Sequence, residues 1–193
     1  MIVKDINQLK EVCIPVSAFN YREGEDIAKQ LFDELENSEN GIGLAANQIG
    51  INKRVCVINV KKPLGLINPE ITERSEEIFV FPESCLSFPG KHIRTLRHTS
   101  ITVKADNYDK ELKFTADSKD INDAFECACV QHEIDHLDGV TMFDREFKQE
   151  PYKAPKKIGR NEKVLIAKGT DSKVVKYKKA EPLLDDGWIL VEV

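Results

Sequence analysis

The stretch VQHEIDHLDG, residues 130–139, places His132 and His136 four positions apart, with Glu133 directly after the first histidine. On an α-helix, residues four apart lie one above the other. Both imidazoles can therefore reach a single metal ion, while Glu133 stands beside the open coordination position of that metal. A polar helix that holds two histidines by chance is the alternative. We interpret the pattern as a metal site.

The sequence around this stretch predicts a buried helix. Residues 119–139, KDINDAFECACVQHEIDHLDG, have helical periodicity, with Ser118 or Asp120 as the N-terminal cap and Gly139 at the C-terminal end. One face of the helix combines apolar side chains with the two histidines: Ile121, Phe125, Ala128, His132 and His136. We expect this face to be buried, where unpaired histidines would be costly.

A second helix and several short strands are predicted before this helix. Residues 25–39 carry Ile27, Leu31 and Leu35 at fourfold spacing, which is typical of an amphipathic helix. Four β-rich runs follow, with NYDK (107–110) as a hairpin turn: RVCVINV (54–60), EEIFVF (76–81), SITVKA (100–105) and ELKFTA (111–116). The predicted fold class is α+β, with antiparallel sheets packed around a central metal-binding helix.

Composition limits the classes of protein that are open. With 193 residues, of which 41% are hydrophobic and 32% charged, the chain suits a globular domain with a real core. No apolar run approaches the roughly 18–20 residues that span a bilayer, and residues 1–12 lack the apolar core of a signal peptide. The five cysteines are typical of reduced thiols, and we expect a cytoplasmic protein without membrane contact.

Residues 148–193 form a basic segment that differs from the rest of the chain. They hold eleven Lys and Arg against seven Asp and Glu, whereas residues 1–147 hold 17 against 26. YKAPKKIGRNEK (152–163) is typical of a linker, and three runs predict short strands: KVLIA (163–167), KVVKYKKA (173–180) and WILVEV (188–193). We therefore expect a catalytic domain at 1–147 and a basic, β-rich C-terminal extension at 148–193.

A catalytic metal site needs a third protein ligand. The metzincin pattern HExxHxxGxxH is followed as far as Gly139, but Met142 stands where its last histidine is required. Three downstream glutamates stay open as a thermolysin-like alternative: Glu146, Glu150 and Glu162. Cys129 lies a full turn before His132 and is too short to reach the metal, so packing is its expected role. The remaining candidate is Cys85, in the loop PESCLSFPG.

Three segments in this order resemble the three motifs of the peptide deformylases: GIGLAANQ (41–48), ESCLS (83–87) and QHEIDHLDG (131–139). The resemblance covers approximately residues 1–147. It implies that Cys85, His132 and His136 are the metal ligands and that a metal-bound hydroxide is the nucleophile. It further implies that Glu133 is the general acid/base, and that Gln48 and the backbone N–H of Leu86 stabilise the oxyanion. The implied reaction removes the formyl group from N-formylmethionyl nascent polypeptides and releases formate.

The same resemblance implies a substrate site beside the metal. Ile42 and Gly43 would present backbone to the extended substrate chain, and Phe125, Ala128 and Cys129 would line a pocket for the methionine side chain. Ordinary turn formation and core packing are the alternatives for both groups. Glu83 is also assigned to the substrate-binding residues, and we hypothesise that it pairs with Arg97 on the following strand to hold the Cys85 loop.

Two residues depart from the family pattern. Ser84 stands where the family usually has glycine, and Asn47 where proline or threonine is common, but neither change removes a ligand.

A thiolate with two imidazoles favours zinc on ligand chemistry, whereas the resemblance implies Fe2+, with Ni2+ or Co2+ as working substitutes. A metal-binding or regulatory module without turnover is the rival function, although such a relative would be expected to lose Glu133.

The basic extension suggests a macromolecular partner. Residues 152–179 hold ten Lys and Arg against Glu162 and Asp171, a bias that suits phosphate contacts with ribosomal RNA. A solvated basic surface is the alternative. We therefore predict formylated nascent peptides as the substrate and the ribosome as a candidate partner.

Overall fold

The chain divides into two units, Met1–Lys148 and Gln149–Val193. A computed structural model describes residues 2–38, 41–116, 119–148, 158–168 and 171–192. The helices and strands of the first unit are, in chain order, α1 (Ile6–Leu9), α2 (Tyr21–Glu36), β1 (Gly43–Ala45), β2 (Val55–Asn59), β3 (Pro63–Ile67), β4 (Glu70–Arg74), β5 (Ile78–Ser84), β6 (His92–His98), β7 (Ser100–Lys104), β8 (Leu112–Thr115) and α3 (Ile121–Leu137). Short 3-10 helices lie at Ala18–Asn20, Ala46–Ile49 and Met142–Arg145.

The run RVCVINV forms β2, the middle strand of an antiparallel sheet in the order β1-β2-β3. Cys56 and Ile58 enter one apolar cluster together with residues of α3, whereas Val55 and Val57 enter a second cluster with residues of α2. Because apolar side chains cover both faces of the strand, it reads as a continuous apolar run instead of an alternating one.

Helix α3 passes through the interior of the first unit. Every residue from Cys127 to Leu137 is buried, so the helix is enclosed on all sides and not on a single face as the sequence pattern suggests. Ile121, which was predicted on the buried face, is 70% exposed because it opens the first turn. Asp120 caps this turn, its side chain accepting a hydrogen bond from Asn122 N at 2.9 Å, while the alternative cap Ser118 lies outside the described residues. Gly139, with φ +71°, follows the helix end as predicted.

Two further antiparallel sheets complete this unit, one in the order β4-β7-β8 and one formed by β5 and β6. The predicted NYDK turn lies between β7 and β8, which pair from Ser100↔Thr115 to Val103↔Leu112. The β5–β6 hairpin holds the loop with Cys85 directly after β5. The antiparallel α+β architecture around a central helix is therefore confirmed, and it places the Cys85 loop and the two histidines in one unit.

The second unit combines an antiparallel sheet with a short helix. Its described elements are β9 (Lys163–Lys168), β10 (Asp171–Lys176), α4 (Tyr177–Leu184) and β11 (Ile189–Glu192), and the strand order is β10-β9-β11. The prediction that KVVKYKKA is all strand was wrong, because β10 ends at Lys176 and the chain continues as α4. Lys, Ala and Leu favour helix, and Ala180 is buried in the cluster that contains Val164 and Ile166.

Residues 152–157 of the predicted linker lie outside the described residues. Among the helices that the structure describes, none is long and apolar enough to cross a membrane.

Candidate metal centre

Cys85, His132 and His136 bring their potential ligand atoms within 4.8 Å of one another. Cys85 Sγ lies 3.3 Å from His136 Nε2, and all three side chains are buried. The fourfold spacing on α3 aligns the histidines, and the loop after β5 supplies the thiol from a different element. The three-residue cluster predicted from the sequence is therefore assembled in the structure, and its function as a metal site stays a prediction.

The alternative third ligands are not part of this cluster. Within the described ranges, neither Glu146 nor Glu162 belongs to the group of potential ligands, and Glu150 lies outside those ranges. Cys129 Sγ lies 3.6 Å from Ile42 O instead of facing the histidines. Burial raises the pKa of the Cys129 thiol well above its usual value, so this cysteine stays protonated. The geometry thus favours Cys85 as the third donor.

Glu83 holds His132 in a fixed orientation. The carboxylate accepts a hydrogen bond from His132 Nδ1 at 2.9 Å, which leaves Nε2 as the nitrogen available to a metal. Arg97 donates to the same carboxylate twice, from Nε at 2.6 Å and from Nη2 at 2.9 Å. Although burial raises the pKa of Glu83, the hydrogen bonds from His132 and Arg97 outweigh it and hold that pKa well below its usual range.

The hypothesised Glu83–Arg97 pair is therefore present, but the assignment of Glu83 to substrate binding needs correction. Glu83 is only 7% exposed, and both of its oxygens are engaged by Arg97 and His132. The carboxylate consequently orients a histidine instead of facing a substrate.

The buried ion-pair network continues beyond Arg97 to residues that sequence reasoning missed. Arg97 Nη1 donates to Asp135, which also accepts from Arg145 Nη2 at 2.8 Å and from Arg145 Nε at 3.1 Å. Asp135 lies between the two histidines in the motif, so an acidic residue on a helix predicted to be buried was an available signal. Arg145 carries no such signal, because its partner becomes apparent only in three dimensions.

Glu133 lies beside the cluster with one carboxylate oxygen unsatisfied. Glu133 Oε2 is buried and has no hydrogen-bond partner among the described residues, and the same holds for His136 Nδ1. Burial raises the pKa of Glu133 to about 7. Burial and the neighbouring His132 keep the pKa of His136 well below its usual value, so that its imidazole is neutral, as a metal ligand must be.

These features fit a divalent metal ion. One thiol and two imidazoles form a donor set used for zinc and for other first-row transition metals. A buried carboxylate oxygen without a partner is rare unless another group completes it. The cluster can therefore hold a metal ion with Glu133 next to it.

Gln48 is oriented so that its amide N–H groups point at the cluster. Its Oε1 accepts a hydrogen bond from Ala45 N at 2.8 Å, while Nε2 donates to Cys85 Sγ at 3.3 Å and to Ser87 Oγ at 3.2 Å. Ser87 is buried and was missed, although it lies within the quoted ESCLS motif. Leu86 follows Cys85 directly and packs against the cluster that contains Leu44.

Asn47, the second departure from the family pattern, has a clear structural partner. Its buried side chain donates from Nδ2 to His136 O at 2.7 Å and to Leu9 O at 3.4 Å. It thereby ties the 3-10 helix at Ala46–Ile49 to α3. Ser84, the first departure, needs no glycine conformation, because it ends β5 paired with His92.

Gly43 allows β1 to approach the Glu133 carboxylate closely. A Cβ atom at this position would lie 2.5 Å from Glu133 Oε1 and 2.6 Å from Cys129 Sγ. Ile42 is 39% exposed, and its carbonyl oxygen accepts from Asn59 N at 2.8 Å within the sheet. β1 is an edge strand, so the outer side of its backbone pairs with no other strand of this sheet.

The three residues predicted to line an apolar pocket differ in exposure. Phe125 is 37% exposed, and its ring centroid lies 5.1 Å from that of Phe81 in an edge-on contact. Ala128 and Cys129 are buried. The structure therefore offers Phe125 and Phe81 as the accessible apolar surface of this helix face, with Cys129 below Ile42.

Comparisons with known proteins agree with these motifs. A family profile described as polypeptide deformylase matches residues 1–151. The peptide deformylase of Prochlorococcus marinus strain AS9601 is 39% identical over 149 residues, which cover 73% of this chain and 71% of that protein.

Solved structures are similar over the same part of the chain. A mutant of Arabidopsis thaliana peptide deformylase 1B gives a TM-score of 0.67 at 27% identity, covering 76% of this chain and 80% of that one. The class I type b peptide deformylase of Acinetobacter baumannii with Met-Ala-Ser bound gives 0.64 at 29% identity, covering 75% and 96%. Because the profile matches well over half of the sequence and spans all three motifs, the chain belongs to the peptide deformylase family of metal-dependent hydrolases.

Proposed function

We propose that this protein removes the formyl group from the N-formylmethionine at the start of nascent polypeptides, releasing formate and a free α-amino group. The observation that carries the proposal is the buried cluster of Cys85, His132 and His136 with the unpartnered Glu133 carboxylate beside it. Membership of the deformylase family supports the choice of reaction.

Cys85 Sγ and one ring nitrogen from each of His132 and His136 would hold the metal ion. When bound, a divalent metal supplies Lewis acidity, which brings the pKa of a water molecule close to neutrality. We propose Fe2+ as the native ion, as the family resemblance implies, with Zn2+ as the weaker alternative and Ni2+ or Co2+ as substitutes. Glu83 would keep His132 in the required tautomer through the contact at Nδ1.

Glu133 would serve as the general acid/base. Its carboxylate is buried with one oxygen unsatisfied, and its pKa, raised to about 7 by burial, lies near ambient pH. In this role the carboxylate accepts the proton of the attacking water and passes it to the leaving amine nitrogen.

Gln48 and the N–H of Leu86 would stabilise negative charge on the formyl oxygen. Ala45 N fixes the Gln48 carbonyl, so the amide N–H groups are already directed towards the cluster before substrate binds. Donors held in advance in this way stabilise the transition state more than the substrate, because they need no reorganisation when charge develops.

The substrate chain would pair with the outer edge of β1 at Ile42 and Gly43, as an added strand pairs with a sheet. The methionine side chain would lie against Phe125, Ala128 and Cys129. The Acinetobacter baumannii relative has been solved with Met-Ala-Ser bound, which is the deformylated form of a formyl-Met tripeptide, and this supports a short peptide as the ligand.

The cytoplasmic location and ribosome association predicted from the sequence also stay predictions. A nascent chain is formed on the ribosome, so a ribosome contact through the basic extension at 148–193 would bring the enzyme to its substrate.

The decisive test measures formate release from formyl-Met-Ala-Ser by iron-loaded protein prepared without oxygen. Unformylated Met-Ala-Ser and an internal peptide serve as controls for protease activity. We expect formate from the formylated peptide alone, and Glu133→Ala should retain metal while losing about 10²- to 10⁴-fold in turnover. Metal binding without formate release would instead favour the regulatory module, and cleavage of the internal peptide would favour a protease.

A further inference from the structure

Two lysines face each other at the end of the sheet in the second unit. Lys163 and Lys176 form the terminal pair of the β9–β10 ladder, and both side chains are exposed. Like charges directly opposite each other on paired strands destabilise a sheet. Folding of the unit therefore gains nothing from placing two cations here.

The charges of helix α4 are also arranged against its dipole. Lys178 and Lys179 lie in its first turn, where the helix presents partial positive charge, and Asp185 and Asp186 follow its last residue. Anions are favoured at the start of a helix and cations at the end, so both pairs are reversed. The reversal concentrates positive charge at the same end of the unit as Lys163 and Lys176, because α4 begins directly after β10.

Backbone hydrogen bonds bring Arg160 to this end as well. Lys178 N donates to Arg160 O at 3.0 Å, and Tyr177 N donates to Glu162 O at 2.8 Å. The side chain of Glu162 also lies in this region, and it accepts a hydrogen bond from Gly159 N at 2.6 Å. We call the resulting group of cations the basic end: Arg160, Lys163, Lys176, Lys178 and Lys179.

We infer that the basic end binds the phosphate backbone of RNA. Its five cations are exposed and drawn from two strands, a loop and a helix start, which is the clustering that neutralises several phosphates at once. The inference rests on the proposed function, since formylated nascent chains are made on an RNA-rich particle. It deepens that function by assigning the RNA contact to one end of the extension.

The structure favours RNA over a membrane as the partner. Proteins that lie on a membrane combine basic residues with an aromatic or aliphatic anchor that enters the lipid. The tryptophan of this unit, Trp188, lies under Lys173, whose Nζ is 4.0 Å from the ring centroid, and Lys173 is not part of the basic end. Tyr177, the aromatic residue next to Lys176, packs against the apolar cluster of Val164 and Ala180. Among the residues that the structure describes, the basic end therefore offers charge without an exposed aromatic anchor.

The first experiment compares two full-length variants that lose the same charge. Lys163→Gln with Lys176→Gln removes the facing pair, and Lys29→Gln with Lys168→Gln removes one exposed lysine from α2 and one that pairs with Asp186. Binding to a fluorescent RNA hairpin is measured by anisotropy over a range of salt concentrations. We expect the first variant to lose about tenfold in affinity and the slope of log K against log salt to become less negative by about 1.5–2, which corresponds to two phosphate contacts.

The control pair should bind RNA as the wild type does. Equal losses of RNA affinity in the two variants would show that only the net charge of the protein matters, which would overturn the inference. Unchanged RNA binding in the first variant would also overturn it. Vesicles of anionic lipid provide the second probe, and a loss of vesicle binding without loss of RNA binding would assign the basic end to a membrane instead. Turnover of formyl-Met-Ala-Ser should stay unchanged in both variants, so a failure of the RNA inference is distinguished from a failure of the proposed function.

A second variant tests the argument that the lysine pair is unfavourable for folding. Lys176→Glu places opposite charges across the β9–β10 ladder, so amide hydrogen exchange in these strands should slow or stay the same while RNA affinity falls. Faster exchange in β9 and β10 would contradict the inference, because it would mean that Lys176 is retained for the stability of the unit.

Discussion

Glu83 Oε2 lies 2.9 Å from His132 Nδ1, while Arg97 binds the same carboxylate through two N–H groups. In the neutral form of His132 that a metal would bind, this contact selects the tautomer, because Nδ1 then carries the proton and Nε2 the lone pair. The orientation of one proposed ligand thus depends on a residue that belongs to a neighbouring strand, β5.

We expect Glu83→Gln to weaken metal binding by about 10- to 100-fold, the usual effect of removing a partner that orients a ligand histidine. The glutamine side chain has nearly the same size, so packing is preserved. A competition titration with a chromophoric chelator measures the affinity, and the exposed Glu76→Gln serves as the control. Equal affinities for wild type and Glu83→Gln would show that the contact does not support the site.

Arg97→Ala should be far more damaging than loss of a surface ion pair. It would leave the buried Glu83 with His132 and the buried Asp135 with the half-exposed Arg145 as their remaining partners. We expect a cost of about 3–5 kcal/mol in the free energy of unfolding, as for other broken buried ion pairs. The exposed pair between Lys10 and Asp144 is worth about 0–1 kcal/mol, so Lys10→Ala is the matched control. Urea unfolding of both variants measures the difference, and a similar small effect for the two would contradict the importance of the buried network.

Gly43→Ala should lower turnover by about 10²-fold or more, because its new methyl group would overlap Glu133 Oε1 and Cys129 Sγ and displace the carboxylate. Gly65→Ala provides the control, since a Cβ there would meet Ala28 Cβ at an ordinary 3.5 Å. Rates with formyl-Met-Ala-Ser and metal content are measured together. Full activity in Gly43→Ala would show that turnover does not depend on a close approach of β1 to Glu133.

The raised pKa of Glu133 predicts a pH effect in the metal-free protein. Burial moves this pKa from 4.5 to about 7, so the folded state keeps a proton that the unfolded state releases. The contribution of the protonated Glu133 to the free energy of unfolding is therefore fully present below pH 4.5, and it is lost as the pH rises to about 7. The free energy of unfolding of Glu133→Gln, relative to wild type, should therefore rise with pH across this interval and then level off. If the difference in free energy of unfolding between the two proteins does not change with pH, the pKa of Glu133 is not raised in the folded state.

The sequence predicted the centre of this fold better than its periphery. The His132–His136 spacing and the run at 54–60 locate the central helix and a doubly covered strand, because burial imposes a periodicity that can be read directly. β3 and β4 were not predicted. PLGLI contains proline and glycine, and EITER is mostly exposed, so neither shows a β pattern.

The same division applies to the site. Motif residues such as Cys85 and Gln48 were identified by resemblance, whereas Arg145 has its role only through a partner, Asp135, that lies on another element. Helix α4 was missed because its first residues continue directly from the valine-rich strand β10, and the burial of Ala180 against β9 is visible only in three dimensions. The sequence pattern therefore does not reveal contacts between different helices and strands.

The extension should be dispensable for chemistry on short peptides. The proposed ligands and the two apolar clusters around the site draw on residues no later than Leu137, among the residues that the structure describes. A chain that ends at Lys148 should keep the rate with formyl-Met-Ala-Ser within about twofold, with unchanged circular dichroism for its own residues, because its core is complete. RNA affinity should fall in the same truncated protein, since the basic end is removed. If the truncated chain folds but no longer releases formate, then residues after 148 contribute to the active site, and the separation of chemistry from recruitment fails.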